Sequence, residues 1–299
     1  MIYKEIIGLI TTHNTNDNFI NLVVKDSNET LYNIKCNKEI FDTLKLNHVY
    51  IFNVEVKEDK RTTYYLKEVT DVSSINSKRR DTILREYLKH QDLSYDDSKD
   101  IILSYISQID NVALKRITSE LFEENLVDFL TYPGGAKIHH AFLGGLAYHT
   151  IGMLKLASAF LTIYPYLNKD YLFSGIILHD LGKIYEYTDV QNAEFDIRGN
   201  MLGHLVMGAM EVEKKATELG YNGLEEVLIL EHILVSHHGQ LQFGAAKRPI
   251  TAEALLIWYI DTIDSKFEEL GTALENTKPG TFTDTMLVLD KIKIYKPKQ

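Results

Sequence analysis

The stretch FLGGLAYHTIGMLKLASAF, residues 142–160, decides the fold class of the larger part of this chain. Phe142, Leu146, His149, Met153, Leu156 and Phe160 recur in it at alternating intervals of four and three, the spacing of one face of an α-helix. An imidazole therefore stands in the middle of an apolar stripe, where burial is costly unless its nitrogens find partners. Ala252, Leu256, Tyr259, Ile263, Phe267 and Leu270 repeat the same period and predict a second helical face. Helical texture runs from the polar stretch NSKRRD (76–81) to about residue 276, so this part of the chain reads as all-α.

Upstream the pattern changes. Short β-branched and aromatic runs separated by turn residues predict strands at 6–10, 19–26, 30–36, 48–56 and 63–72. KEIFDTLKL interrupts them between the third and fourth, with Ile40, Phe41 and Leu44 at helical spacing. Five strands with a helix at that point is the order of an OB-fold, a small barrel that commonly binds single-stranded nucleic acid or oligosaccharide. The expected architecture is multi-domain α+β: a five-stranded barrel over 1–75, a helical linker region packed on the next domain over 76–130, and an all-α domain over 131–299. The tail TFTDTMLVLDKIKIYKPKQ predicts a strand and a solvated basic end.

The 299 residues carry 32 Lys+Arg against 42 Asp+Glu, a formal charge of −10. No general basic field could hold a polyanion, so any grip on nucleic acid must be local. The single cysteine, Cys36, excludes an internal disulfide or a cysteine-based zinc cluster and fits a reducing compartment. MIYKEIIGLI lacks the basic start and cleavage site of a signal peptide, and no apolar run approaches the roughly 20 residues that span a bilayer. A cytoplasmic protein with no membrane partner is the expectation.

Eight of the 11 histidines, at 139, 140, 149, 179, 204, 232, 237 and 238, lie within the helical part. His179-Asp180 is an imidazole and a carboxylate set among Phe173, Ile176, Ile177, Leu181 and Ile184, and Asp261 sits in the apolar run LLIWYIDTID. Taken alone, each is more simply a core histidine, a chance pair or a capping carboxylate. Together they form an ordered H…HD…D series on successive helices, most economically satisfied by a shared metal ion.

HTIGMLKLA (149–157) and HDLGK (179–183) in this order resemble the HD superfamily of metal-dependent phosphohydrolases. The whole chain is similar to the YhaM family of 3′-to-5′ exoribonucleases, which pairs an N-terminal OB-fold with an HD domain. That likeness rests on PGGAKIHHAFLGGLAYHT, HDLGKIYEY, GHLVMGA, SHHGQLQFGAAKRPITAEA, IDTIDSK and FTDTMLVLDKIKIYKP. One departure is Pro133-Gly134-Gly135-Ala136-Lys137, where Pro-Ala-Ala-Lys is expected; the extra glycine admits positive φ and a looser loop.

The resemblance implies two divalent ions bridged by Asp180. His149, His179 and Asp261 would complete one site, and His204 with His237 or His238 the other. Such ions share a hydroxide that attacks the phosphodiester, so no Ser or Cys nucleophile is needed. Mn²⁺ is favoured, with Co²⁺, Fe²⁺ and Zn²⁺ compatible with the donor set. Lys183 is a candidate for offsetting phosphoryl charge, beside Asp180 as a catalytic residue. Lys137, His139, His140, Lys247 and Arg248 are candidate substrate contacts, the two histidines alternatively orienting ligands.

On the barrel, Tyr3, Tyr32, Tyr50, Phe52, Tyr64 and Tyr65 are candidate stacking residues, with Lys57, Lys60, Arg61 and Lys67 as phosphate contacts. The implied partner is single-stranded RNA, with single-stranded DNA as a second substrate, self-association, and nucleoside 5′-monophosphates as products. Two other readings compete: an HD phosphohydrolase of a signalling or metabolic nucleotide, and a non-enzymatic single-strand DNA-binding protein.

Overall fold

Alternating branched and polar side chains build the N-terminal strands in a computed structural model that describes residues 2–16, 19–59, 61–135 and 140–298. β1 (Ile2–Asn16), β2 (Phe19–Lys25) and β3 (Leu31–Cys36) are followed by α1 (Lys38–Phe41), whose first turn is capped by the Asn37 side chain. β4 (Val49–Glu58) and β5 (Thr62–Asp71) complete a closed barrel in the order β1-β2-β3-β5-β4. The pairs are antiparallel except β3 with β5, which run parallel through Ile34 with Tyr64 and Lys35 with Tyr65. This is the OB-like barrel expected from strand order.

Alternate residues of β1 to β4 fill the barrel: Ile6, Ile10, Leu22, Val24, Ile34, Phe52 and Val54 are buried together, with Tyr64, Leu66 and Val69 of β5 partly buried against them. Tyr50 and Phe52 belong to this core at 3% and 0% exposure, which removes them from the stacking candidates. Tyr3 is open at 64%, and Tyr65 is approached by the ammonium groups of Lys35 and Lys57 at 5.4 and 4.9 Å. Lys67 is paired with Glu55 at 2.7 Å, and Lys60 lies outside the described residues. α2 (Lys78–Leu84) ends this unit, Met1–Lys89.

The second unit, His90–Gln299, is helical. It comprises α3 (Tyr95–Ser107), α4 (Val112–Glu124), α5 (Leu126–Thr131), α6 (Gly145–Ile163), α7 (Lys169–Leu178), α8 (Lys183–Glu186), α9 (Ile197–Glu218), α10 (Glu225–Ser236) and α11 (Ala252–Glu275). α6 is buried around most of its circumference: Leu146, Ala147, His149, Thr150, Ile151, Met153, Leu154 and Ala157 all face protein. Phe142 precedes the helix instead of opening its stripe. By length and composition alone α6 could cross a bilayer, contrary to the sequence expectation; in this fold it is a central helix packed on α5, α7 and α11.

α11 departs from its sequence reading as well. Ala254, Leu256, Ile257 and Ile260 are its buried apolar residues, whereas Tyr259, Ile263 and Phe267 are 50%, 38% and 67% exposed. The apolar period marks a helix, but the face that meets the core is that of Ala254, Ile257 and Ile260, and of the expected stripe only Leu256 is buried with it. The tail holds two isolated β-bridges, Phe282 with Tyr295 and Met286 with Ile292, in place of the expected strand.

Candidate metal centre

Two helices deliver imidazoles at their C-terminal ends, because His179 follows α7 and His237 follows α10 directly. α6 supplies His149 and α11 supplies Asp261 from within their spans. α9 kinks at Gly203, whose φ of 72° lies in the left-handed region. The kink takes the next residue, His204, out of the helical ladder, and its backbone N–H donates to Glu186 Oε1 at 3.1 Å.

Asp180, 3% exposed, stands at the middle. Its Oδ2 lies 3.3 Å from His179 Nε2 and 4.0 Å from His149 Nε2, which is itself 3.3 Å from Asp261 Oδ1. Its Oδ1 lies 3.4 Å from His204 Nε2 and 3.8 Å from His237 Nε2. The two carboxylate oxygens thus face two donor groups: His149, His179 and Asp261 on one side, His204, His237 and His238 on the other. Each group places its ligand atoms within 4.8 Å of one another.

All five rings are anchored through Nδ1. His179 Nδ1 lies 2.7 Å from the Ile176 carbonyl, His237 Nδ1 2.8 Å from that of Leu234, and His238 Nδ1 2.8 Å from that of Phe243. His204 Nδ1 lies 3.1 Å from Glu186 Oε2, and His149 Nδ1 2.7 Å from Asp264 Oδ2. Carbonyl and carboxylate oxygens only accept, so in each ring Nδ1 carries the proton and Nε2 points inward.

The consequence is an unsatisfied interior. His179 Nε2 and His237 Nε2 are buried without a hydrogen-bond partner among the described residues, and His204 Nε2 faces His238 Nε2 at 3.3 Å. Two neutral rings protonated on Nδ1 would set lone pairs against each other there. A cation between them removes the repulsion and satisfies the orphaned nitrogens together, so the donor set fits divalent metal.

Electrostatics agrees. Burial, with His238 and His179 nearby, pushes His237 well below the ordinary imidazole value, and burial also lowers His238; both rings are kept neutral, as ligands must be. Burial opposes charge on Asp180, but Lys183 and His179 overcome it and hold the carboxyl well below the usual range. Burial likewise opposes charge on His149, yet hydrogen bonds to Asp261 and Asp264 raise it to about 10. A cation arriving at its Nε2 therefore has a proton to displace.

Lys183, its side chain 12% exposed, donates to Asp180 Oδ2 at 2.6 Å and to the Gly134 carbonyl. That contact ties the loop after Pro133 to the centre. Gly134 does not take a positive φ; it is small because a Cβ would press on His140 and Gly145. Lys137 and His139 lie outside the described residues. His140 is buried with Nε2 3.0 Å from Asp264 Oδ2, bridging to His149 through that carboxylate. His232 stays apart, accepting from the Ile250 N–H.

A cavity of about 610 Å³ opens over the centre, lined by His149, Asp180, Lys183, His238 and Asp261 and, further out, by Phe243, Trp258, Tyr259, Val288 and Asp290. Arg248 lines a smaller neighbouring cavity of about 340 Å³, which shares Gln240 and Trp258 with the first. Lys247 is exposed and lines neither of these two.

Sequence reasoning missed Glu186 and Asp264, the carboxylates that orient His204 and His149. Both were within reach of a spacing argument. Glu186 stands one turn after Lys183 of HDLGK, and Asp264 one turn after Asp261 in IDTID.

Residues 146–266 match the HD domain family. The chain is also 37% identical over 237 residues to the 3′-5′ exoribonuclease YhaM of Bacillus subtilis (strain 168), an alignment spanning 79% of this chain and 74% of that protein.

Proposed function

Because this chain belongs to the YhaM family of 3′-to-5′ exoribonucleases, we propose that it removes nucleotides from the 3′ end of single-stranded RNA by metal-dependent phosphodiester hydrolysis, releasing nucleoside 5′-monophosphates. The observation that carries the reading is the inward convergence of four Nε2 atoms on the two oxygens of one buried carboxylate, with a fifth, that of His238, 3.3 Å from His204 Nε2. Asp180, His149, His179 and Asp261 would hold one ion, and Asp180 with His204, His237 and His238 a second. Bound divalent ions supply charge neutralisation at the phosphodiester and a water acidic enough to attack at neutral pH. Imidazole and carboxylate together suit Mn²⁺, Fe²⁺, Co²⁺ or Zn²⁺, and Mn²⁺ is the ion we favour.

The protein's own groups do the rest. Nδ1 hydrogen bonds to carbonyls and carboxylates fix every ligand ring before substrate arrives, so little reorganisation is needed at the reaction. Lys183 adds a positive charge beside Asp180, where the phosphoryl group gains negative charge. Arg248 in the neighbouring cavity supports a contact with an upstream phosphate. The barrel adds an open ring, Tyr3, and a half-buried one, Tyr65, with Lys35 and Lys57 beside it, groups suited to a single strand of either RNA or DNA.

Self-association is supported by exposed apolar residues on α9 and α11, among them Ile197, Met201 and Phe267 at 81%, 78% and 67%. A cytoplasmic setting accords with an RNA substrate and the lone buried Cys36.

The deciding experiment incubates the protein and Mn²⁺ with 5′-labelled RNA bearing a free or a blocked 3′ end. Stepwise shortening of the free end alone, with 5′-monophosphates as products, is expected. Equal degradation of both, or release of 3′-phosphates, sinks the proposal. Faster turnover of mononucleotides establishes the nucleotide phosphohydrolase instead.

A further inference from the structure

The pocket over the metal centre has two unlike parts. Its floor is charged and buried, yet its rim carries apolar rings left open: Tyr259 is 50% exposed and Phe243 60% exposed. Trp258 stacks on Tyr259, with centroids 4.9 Å apart and planes inclined by only 20°, so one ring backs the other. Rings this large normally sink into a core, and open ones beside a reactive centre point to a ligand that covers them.

Trp258, Tyr259 and Asp261 line one cavity, which brings that surface to the candidate metal centre. Trp258 stands one turn before Asp261, about 4.5 Å of axial rise, and Tyr259 stands two residues before it. A group stacked on Tyr259 lies in the same cavity as that carboxylate, because both residues line it. The cavity volume of about 610 Å³ falls in the range that takes a small molecule and is too small for a folded element. A planar heterocycle joined to a phosphate matches both halves, with the ring on the rim and the anion over the floor.

Resting on the exoribonuclease reading, we propose that Tyr259, backed by Trp258, is the stacking platform for the base of the 3′-terminal nucleotide. A ring face offers no hydrogen-bond pattern, so every base is accepted, and the platform holds the end of the chain without selecting sequence. It sets the phosphodiester behind that base over the centre, so the enzyme takes one nucleotide at a time.

The test compares kcat/KM on an RNA with an ordinary 3′-terminal nucleotide against the same RNA whose terminal residue is abasic, for wild type, Tyr259→Ala and Tyr259→Phe. Loss of one stacking partner is expected to lower the wild-type value on the abasic end about 5- to 150-fold. Tyr259→Ala should lose a similar factor on the ordinary RNA and barely distinguish the two ends, while Tyr259→Phe keeps the wild-type ratio. Because Tyr259 is half exposed, the substitution leaves the core intact, and thermal unfolding checks this. Unchanged discrimination in Tyr259→Ala overturns the platform alone, as does a change of oligomeric state with discrimination intact, which would make the ring an interface residue. No shortening of either RNA by wild type overturns the exoribonuclease reading and the platform with it.

Discussion

Asp264 Oδ2 lies 2.7 Å from Nδ1 of His149, and this contact settles which nitrogen of the histidine is offered to the metal centre. The carboxylate accepts from Nδ1–H, so Nε2 is turned toward Asp261 and Asp180. The same oxygen is 3.0 Å from His140 Nε2, so one carboxylate steadies two rings. Burial would raise the Asp264 carboxyl, but its hydrogen bonds to His140 and His149 bring it down to about 2, and it is charged throughout the useful pH range. Asp264→Asn keeps the shape but weakens this restraint and should cost about 10- to 100-fold in metal affinity or activity. Calorimetric titration with Mn²⁺ measures it, and wild-type affinity together with wild-type activity would remove Asp264 from the site.

Asp180→Ala deletes both oxygens that face the two donor groups and should abolish activity without unfolding the protein. Metal analysis should find two ions per chain in wild type and fewer in the variant. A ligand held by the native state alone also stabilises it, by about 2.7 kcal/mol at a hundredfold excess over Kd. Mn²⁺ should thus raise the Tm of the chelator-treated wild type and not that of Asp180→Ala. Near-normal activity in a folded variant depleted of metal would end the two-ion account.

Gly239, immediately after His238, has φ of 75° and turns against the Trp258 indole so closely that a Cβ there would overlap the ring. Gly239→Ala meets both a left-handed backbone and a rigid aromatic wall. The expected loss is about 2–4 kcal/mol, or about 5–10 °C in Tm, with activity falling as His238 is displaced. A variant melting within a degree of wild type would contradict the packing.

Between α9 and α10, partial burial and a hydrogen bond with Glu213 push Glu231 up to about 7 from the usual 4.5. The folded state holds a proton that the unfolded chain has released, so this stability is complete below about pH 4.5 and lost as pH rises through about 7. Glu231→Gln removes the charge at every pH. It should gain about 1 kcal/mol at pH 8, after allowance for solvent screening of a partly exposed pair, and nothing at pH 4.5. Tm measured at the two pH values decides it; an equal gain at both would assign the effect to something other than this proton.

The H…HD…D series was legible because each candidate ligand sits in a local pattern, an imidazole or carboxylate among apolar residues at helical period. His149 and Asp261, each ambiguous alone, stood out by their place in that ordered series. The orienting carboxylates Glu186 and Asp264 look like ordinary polar positions, since what distinguishes them is a partner 18 or 115 residues away. Tyr50 and Phe52 shared the barrel's aromatic signal with Tyr65, and strand alternation sorts them only once the register is known. The stripe through Tyr259, Ile263 and Phe267 announced a helix correctly but not which side of it would be covered.

By itself the sequence determined a small β-barrel followed by helices carrying the histidines and aspartates of the candidate metal centre, because strand alternation and helical period are properties of neighbouring residues. Tertiary structure alone decided that Asp180 turns one oxygen to each donor group, that five rings are locked through Nδ1, and that Tyr259 stays open over the centre. Those outcomes depend on how helices cross and which faces they bury. Packing between segments far apart in the chain sets that geometry, and periodicity along one segment carries no record of it.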